Sequence, residues 1–223
     1  MRVVSRKSES GHIHPQRSSW TDDLPGEWKL LPIGRILINA QYGTNAASTK
    51  SGSTEVVGMK DIQDGRVFTS NLARADLPAI EREKFLLERG DLLINRTNSY
   101  ELVGKVGIYE NDRQAAFASY LVRMKVDREL VLPEFLNYWL NGSIAQQAIK
   151  RLATRAIGQA NINPSVFKKH CLVPLPPLPD QAIIAETLSA WDLAIEKTER
   201  LIAAKDRRFS GLLQKLIDAN SGS

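Results

Sequence analysis

Three histidines, one cysteine and 25 carboxylates are the side chains of this 223-residue chain with the means for nucleophilic, acid–base or metal chemistry. Their spacing argues against all three. His12, His14 and His170 lack ligand-spaced partners, whereas a metal site needs several clustered donors. Cys171 sits beside Leu172 and Val173, the setting of a small buried hydrophobe rather than of a nucleophile. No carboxylate falls in an apolar context that would tune it as an acid or base. No G-x-x-x-x-G-K-[ST] run or glycine-rich strand–helix turn is present to cradle a nucleotide. The run Leu175-Pro176-Pro177-Leu178-Pro179 has the composition of a ligand for proline-binding domains, but it abuts a helix start, which reads as a structural hinge. The residue types point to a chain that binds and positions.

Composition sets the class. With 43% hydrophobic and 25% charged residues, the chain has the make-up of a globular protein, long enough for one medium domain plus an appendage or two small domains. The lone cysteine excludes an internal disulfide and fits a reducing cytoplasm. No apolar run is long enough to span a bilayer, and the opening residues "MRVVSRKSESGHIHPQRSSW" lack a signal-type apolar core, reading as a mobile polar tail. Charge is uneven. Residues 1–170 carry 24 Lys and Arg against 18 Asp and Glu, residues 171–223 carry 6 against 7, and 135–170 hold no acid at all. A basic globular part beside a neutral tail end suggests a polyanion for the first and a protein for the second.

The elements follow from periodicity. "EWKLLPIGRIL" predicts a strand and a helical turn opening near Pro32, and Gly43–Thr54 a flexible polar loop with no apolar anchor. "EVVGMKDIQDGRVF" reads as a strand with a turn at Asp64-Gly65, and "GDLLIN" and "ELVGKVGIYE" as two more strands. In "FASYLVRMKV", Ala118, Tyr120, Val122, Met124 and Val126 share one face, with Arg123 and Lys125 on the other. From Pro133 the period becomes helical: Phe135, Tyr138, Trp139, Ala145, Ala148, Ile149 and Leu152 cover one face, with Gly142 as a breaking point. Asn163-Pro164 starts another helix. The fold class expected is α+β, a domain on a mixed or antiparallel sheet followed by a long C-terminal coiled-coil helix.

That last helix is the most specific local signal. Beyond the prolines, steps of four and three link Ile184, Leu188, Trp191, Ile195, Thr198, Ile202, Lys205, Phe209, Leu212 and Leu216, and eight of these ten positions are apolar. Sustained 4–3 spacing is the mark of a coiled-coil seam. A helix from Asp180 to Ile217 would run about 57 Å. One such helix cannot cover its own stripe, so it either folds back on its domain or meets another helix.

The stretch "VPLPPLPDQAIIAETLSAWDLAIE" resembles the signature of the DNA-specificity (S) subunits of type I restriction-modification systems, where a proline-leucine run and an acid-Gln pair open a long helix. "WKLLPIGRIL", "MKDIQDGRV", "GDLLINRTNSYELVGKVGIYE", "ASYLVRMKVD", "LPEFLNYWLNG" and "GQANINPSVFKKH" are similar to the same family in order, from about Trp28 to Ile217. The resemblance implies a tail over 1–21, a target recognition domain over 22–172 and a hinge with a spacer and dimerisation helix over 173–217, with a tail over 218–223. Full-size S subunits carry two such domains and two helices; this chain has one of each. The resemblance therefore implies a half-size form that pairs its helix antiparallel with a second copy, giving a two-fold homodimer on a bipartite site. Double-stranded DNA and methyltransferase (M) subunits are the implied partners, with or without a restriction (R) subunit. S-adenosylmethionine and ATP belong to those subunits, and this chain itself takes no cofactor or metal. The rival readings are a detached specificity module of another methyltransferase class and a coiled-coil adaptor whose basic domain binds protein or RNA.

Residues that match base-edge donors and acceptors are then candidates for contact with DNA. In "NRTNSY", Arg96 suits guanine or phosphate and Asn98 adenine, with Thr97, Ser99 and Tyr100 positioning them. Gln41, Tyr42 and Thr44 come second, and Lys60, Lys105, Arg151, Arg155, Lys168 and Lys169 are candidate phosphate contacts. Gly158, Gln159, Asn161 and Asn163 read as a structural turn between domain and helix. The helix seam offered to a partner is Ile184, Leu188, Trp191, Ile195, Ile202, Phe209, Leu212 and Leu216.

Overall fold

Alternation in the strands is what builds the core. The computed structural model describes residues 19–221. Residues 1–18 and 222–223, with His12 and His14, lie outside the described residues, as does the side chain of Leu216. The first half of the domain contains β1 (Lys29–Pro32), β2 (Leu37–Tyr42), β3 (Thr54–Val57), β4 (Ile62–Gln63), β5 (Arg66–Val67), β6 (Ala73–Ala75) and helix α1 (Ala79–Phe85). The sheet strands β7 (Leu92–Asn95), β8 (Thr97–Asn98), β9 (Val106–Ile108), β10 (Ala115–Phe117) and β11 (Leu121–Val126) follow. Then come α2 (Pro133–Asn141), α3 (Ser143–Arg151), β12 (Ala153–Ala156), β13 (Gln159–Ile162), α4 (Pro164–His170), β14 (Leu172–Leu175) and the long α5 (Leu178–Ser221).

A six-stranded mixed sheet, in the order β2-β11-β7-β9-β5-β4, forms the middle layer. Its pairs are antiparallel except β5 with β9. Leu92 and Ile94 of β7, with Val122, Met124 and Val126 of β11, face a core closed by Phe135, Leu136 and Leu140 of α2, Ile149 of α3 and Phe167 of α4. Leu93 and Leu121 point the other way, onto Val57, Tyr109, Ala115 and Phe117 around the β10-β3-β6 sheet. The alternation expected of β11 thus holds for its buried face, but the strand begins at Leu121, and Tyr120 stands half-exposed just before it. Arg123, on the opposite face, is buried against Phe117 rather than solvated. Helices cover one face of this strand and the β10-β3-β6 sheet the other, which alternation alone does not reveal.

Helix boundaries follow local chemistry. Pro133 sits in the first turn of α2, and Gly142 leaves the helical region (ψ 151°), splitting α2 from α3. The Asn163 side chain accepts hydrogen bonds from the Ser165 and Val166 amides and caps α4. Ala148 is exposed rather than on the apolar face.

Three expectations change. The Gly43–Thr54 segment is anchored: the Thr44 amide donates to Phe117 O at 2.8 Å and the Thr49 amide to Arg74 O at 2.7 Å. A Cβ at Gly43 would lie 2.2 Å from the Phe117 carbonyl oxygen, so only glycine allows this approach. The anchor is made by backbone, so it leaves no apolar signal. Trp20, placed in the tail, lies in a 3-10 turn with its ring centroid 5.3 Å from that of Trp139. Finally, the first part of the proline run is no hinge. Leu172–Leu175 pairs antiparallel with β1, and Val173 and Leu175 are buried. Pro174 is tolerated because this is a two-stranded ribbon whose other edge needs no ladder bond.

Helix α5 is fixed to the domain through its first five turns. Gln181 is 0% exposed: its Oε1 accepts the Leu132 amide at 2.9 Å, and its Nε2 donates to Leu130 O at 3.1 Å and Pro176 O at 2.9 Å. Ala185 is buried in the core, the Tyr138 hydroxyl donates to Asp192 at 2.7 Å, and Arg66 pairs with Glu196 at 3.7 Å. Burial and the Asp192 carboxylate push the Tyr138 phenol up to about 12. From Lys197 to Lys215 every side chain is exposed.

Gln181→Leu keeps the volume but strands an amide and two carbonyls. Each unsatisfied buried group costs about 1–3 kcal/mol, so denaturant unfolding should show a loss of about 3 kcal/mol or more. Burial pushes the Cys171 thiol up to about 12. An aromatic disulfide reagent at mildly alkaline pH should leave Cys171 unmodified in the folded chain and react fully in denaturant; rapid modification of native protein would contradict this burial.

Candidate nucleic-acid interface

Strand register brings scattered sequence positions to one end of the central sheet. Asn95 of β7 pairs with Leu121, Tyr42 of β2 with Val122, and Ile94 with Val106 of β9. Tyr42, Arg96, Tyr120 and Lys105 therefore emerge side by side. The polypeptide leaving β7 then forms β8, which joins β13 and β12 in a second, three-stranded antiparallel sheet.

Arg96 lies where the two sheets meet. Its guanidinium sits 4.8 Å from the Tyr42 ring centroid, its Nε donates to Ser119 O at 3.4 Å, and its Nη1 donates to Asn161 Oδ1 at 3.3 Å. The Thr97 hydroxyl donates to the same Asn161 oxygen at 3.1 Å, and Asn98 Oδ1 accepts the Ser99 amide at 2.8 Å. A second stack follows: Arg155 of β12 lies 3.5 Å and Lys150 of α3 5.9 Å from the centroid of Tyr100. Such contacts contribute about 0.5–1 kcal/mol each at exposed sites. Their larger effect is geometric, because a guanidinium lying flat on a ring is held in place while its N–H edge can still reach a planar anion or a base edge. The carboxyl of Glu101 is held below its usual range by its own amide and by Ser99, and further by Lys150 and Arg155.

The remaining cations are distributed around this end. Lys168 of α4 lines a narrow crevice with Arg96, Leu37, Ala40 and Pro164, and Lys169 is its exposed neighbour. Arg151 ends α3 and is exposed. Lys60 leads into β4, at the far edge of the sheet from Tyr42, and is not part of the cluster.

Two candidates face inward. Gln41 is the register partner of Arg123, whose guanidinium it accepts through Oε1, while its Nε2 donates to Lys84 O at 3.2 Å. Arg123 in turn donates to Leu86 O at 2.6 Å and lies 3.7 Å from Asp91. Burial holds the Asp91 carboxyl above its ordinary range, outweighing the Glu88 amide and the nearby cations. Thr44 is buried, and its hydroxyl accepts the Ala46 amide at 3.0 Å. Both side chains are spent on the domain's own structure. Conversely, Asn161, Lys150 and Tyr120 belong to the cluster. Asn161 looked like a turn residue because nothing local shows β13 beside β8, and alternation assigned Tyr120 to the core. Lys150 alone carried a signal, the acid-free basic stretch. Among the described residues, no group of three or more His, Cys, Asp or Glu could hold a metal ion, and no helix is long and apolar enough to cross a membrane.

A mixed α+β domain thus carries cations stacked on aromatic rings at one end of its sheet and a long helix whose second half is exposed. The chain belongs to the family of type I restriction modification DNA specificity domains, which it matches over residues 25–204. It is 28% identical over 197 residues to the putative type I restriction enzyme MjaX specificity subunit of Methanocaldococcus jannaschii, covering 87% of this chain and 46% of that protein. It is 26% identical to the StySPI specificity subunit of Salmonella potsdam, covering 76% and 38%. The chain thus spans less than half the length of these curated relatives. Among solved structures, the HsdS subunit of Thermoanaerobacter tengcongensis superposes with a TM-score of 0.59 at 17% identity, over 80% of this chain and 45% of that one. A chain from a structure of the type I R-M system gives 0.66 at 16%, over 92% and 48%.

Arg155→Ala removes an exposed cation and should leave the unfolding midpoint nearly unchanged while weakening retention on heparin. On duplex DNA, loss of one phosphate contact should reduce the slope of log affinity against log salt by about 0.9 on every sequence tested.

Proposed function

We propose that this chain is the non-catalytic DNA-recognition subunit of a type I restriction-modification complex, choosing the sequence on which partner methyltransferase subunits act. The face from Tyr42 through Arg96 to Arg155 approaches duplex DNA. Arg96 and Asn98 reach base edges, Thr97, Ser99 and Tyr100 hold them in place, and Lys105, Arg151, Arg155, Lys168 and Lys169 neutralise phosphates. Lys60 makes at most a peripheral phosphate contact. Methylation of a base inside a duplex needs the base extruded into a pocket holding S-adenosylmethionine, and that pocket belongs to the methyltransferase partner. Cleavage, where it occurs, belongs to an ATP-driven restriction subunit.

The observation that carries the assembly is the division of charge along α5. Its first half, Leu178–Glu199, holds five acids and one lysine; its second half, 200–221, holds five bases and two acids. Two copies laid antiparallel place each acidic half on the other's basic half, whereas parallel copies would oppose like charges. The apolar seam supports the same pairing: Trp191 is 66%, Ile195 53%, Ile202 55%, Phe209 63% and Leu212 52% exposed within one chain. Ile184 packs against the domain core, so the free seam starts near Leu188. Beside it, a groove of about 1000 Å3 between α2 and α5, bearing Glu134, Glu186 and Asp192, offers the partner's basic half a seat. The resulting homodimer presents two recognition domains on a fixed spacer and reads a bipartite site with two-fold symmetry.

Isolation of the tagged chain from its own cell, with native mass measurement, should give two copies with two methyltransferase chains. Methylome sequencing should then give a symmetric, interrupted target. Two unrelated half-sites would overturn the homodimer, and a chain that never accompanies a methyltransferase would favour an adaptor. Phe209→Glu or Trp191→Glu puts an unpaired charge into the paired seam, at a cost of several kcal/mol. Sedimentation should then show monomers or loss of the methyltransferase, and a variant that assembles normally removes the seam from the interface.

A further inference from the structure

Two hairpins in the domain turn on two residues each, and their turns are chemically opposite. Between β4 and β5 the turn is Asp64-Gly65, with φ of 48° and 77°, the positive values that a tight primed turn requires. It is polar, and Asn137 Nδ2 ties it down by donating to Gly65 O at 2.8 Å. Between β12 and β13 the turn is Ile157-Gly158, with Gly158 at φ 71°. Here a branched apolar side chain occupies the tip, and it is wholly exposed. A Cβ on Gly158 would meet nothing within 4 Å, so the tip stands clear of the other described residues. Turn positions favour Asn, Asp, Gly and Ser, so the isoleucine is not explained by the turn.

Its surroundings indicate what covers it. Arg155, two residues before the tip, is stacked on Tyr100 with Lys150 beside it, and Arg151 precedes the strand. Glu101 follows Tyr100, and Lys150 and Arg155 are among the groups that favour its charged form. The neighbouring strand of the same sheet carries Thr97 and Asn98. An apolar tip on a hairpin that carries Arg155, with Lys150 and Arg151 leading into it, suits a polyanion with an apolar interior rather than a protein groove. A stack of base pairs has that combination, and isoleucine is among the side chains that wedge between base steps.

We propose that the β12–β13 hairpin is a DNA-distorting wedge: Ile157 enters a base step while Arg155 and Arg151 hold the flanking phosphates, bending the duplex at the half-site. This rests on the DNA-recognition reading above and adds a residue and a mode of contact to it. Recognition then depends partly on how easily a step unstacks, giving sequence preference at a position no hydrogen bond reads.

The test uses the full chain, with its methyltransferase when that co-purifies, and duplexes selected by the wild-type protein from a random-sequence pool. Affinity is measured together with bending, read by energy transfer between end labels. Ile157→Ser, at an exposed turn, should melt like wild type, bind about tenfold or more weakly and lose the bend, since the side chain's burial is worth about that factor. Ile157→Leu should retain the bend and stay within about threefold of wild type. Equal affinity and an unchanged bend for Ile157→Ser would overturn the wedge and leave DNA recognition standing. Unchanged DNA binding with loss of the methyltransferase would assign the tip to that protein instead. A wild-type chain that selects no duplex would overturn the wedge and the recognition reading together.

Discussion

One carboxamide sets the geometry on which the rest depends. Gln181 spends its side chain on Leu130 O, the Leu132 amide and Pro176 O, joining the start of α2 to the start of α5 at a point with no access to water. Buried amides bonded on both ends are directional, so they fix an angle as well as a distance. Ala185, the Tyr138–Asp192 hydrogen bond and the Arg66–Glu196 pair then guide the next turns along the domain. A helix of 44 residues, about 66 Å long, magnifies any error at its base. A polar lock at its base therefore fixes the direction in which the exposed half of α5 projects.

The second constraint is strand register. The candidate interface combines residues from β2, the β7–β8 junction, α3 and β12, which meet only because β7 ends beside β2 across β11 and because β8 crosses into another sheet. Arg96 bridges the two sheets through Tyr42 and Asn161, so its guanidinium is positioned before any ligand arrives. Arg155 is positioned in the same way on Tyr100. Preorganised cations lose less side-chain freedom on binding than free lysines do. The domain interior shows the converse use of arginine. Arg123 is buried with Asp91, Gln41 and Phe117, binding α1 and the loop after it to the central sheet.

Much of this was legible in the residues. The α+β class, the turn at Asp64-Gly65, the Asn163 cap, the break at Gly142 and the long helix with its seam all depend on interactions within a few positions. Local chemistry and periodicity report those directly. The absence of a nucleotide loop and the basic, acid-free stretch are likewise properties of the chain itself. At the candidate interface, residue type and the family resemblance single out Arg96 and Tyr100, but the sequence says nothing of what they stack on.

Tertiary structure decided the rest. It turned Gln41 and Thr44 inward, separated Lys60 from the other cations, and brought Asn161 to Arg96 across 65 positions. It made the first prolines part of a strand and anchored a polar loop through its backbone. It also left Ile157 free at a hairpin tip. Each outcome depends on which segment lies opposite another, and neither periodicity nor composition carries that information. The sequence by itself determined the α+β class, the long C-terminal helix and the apolar stripe along it. Only the packing of distant segments decided which side chains are consumed in holding the fold and which remain to meet something else.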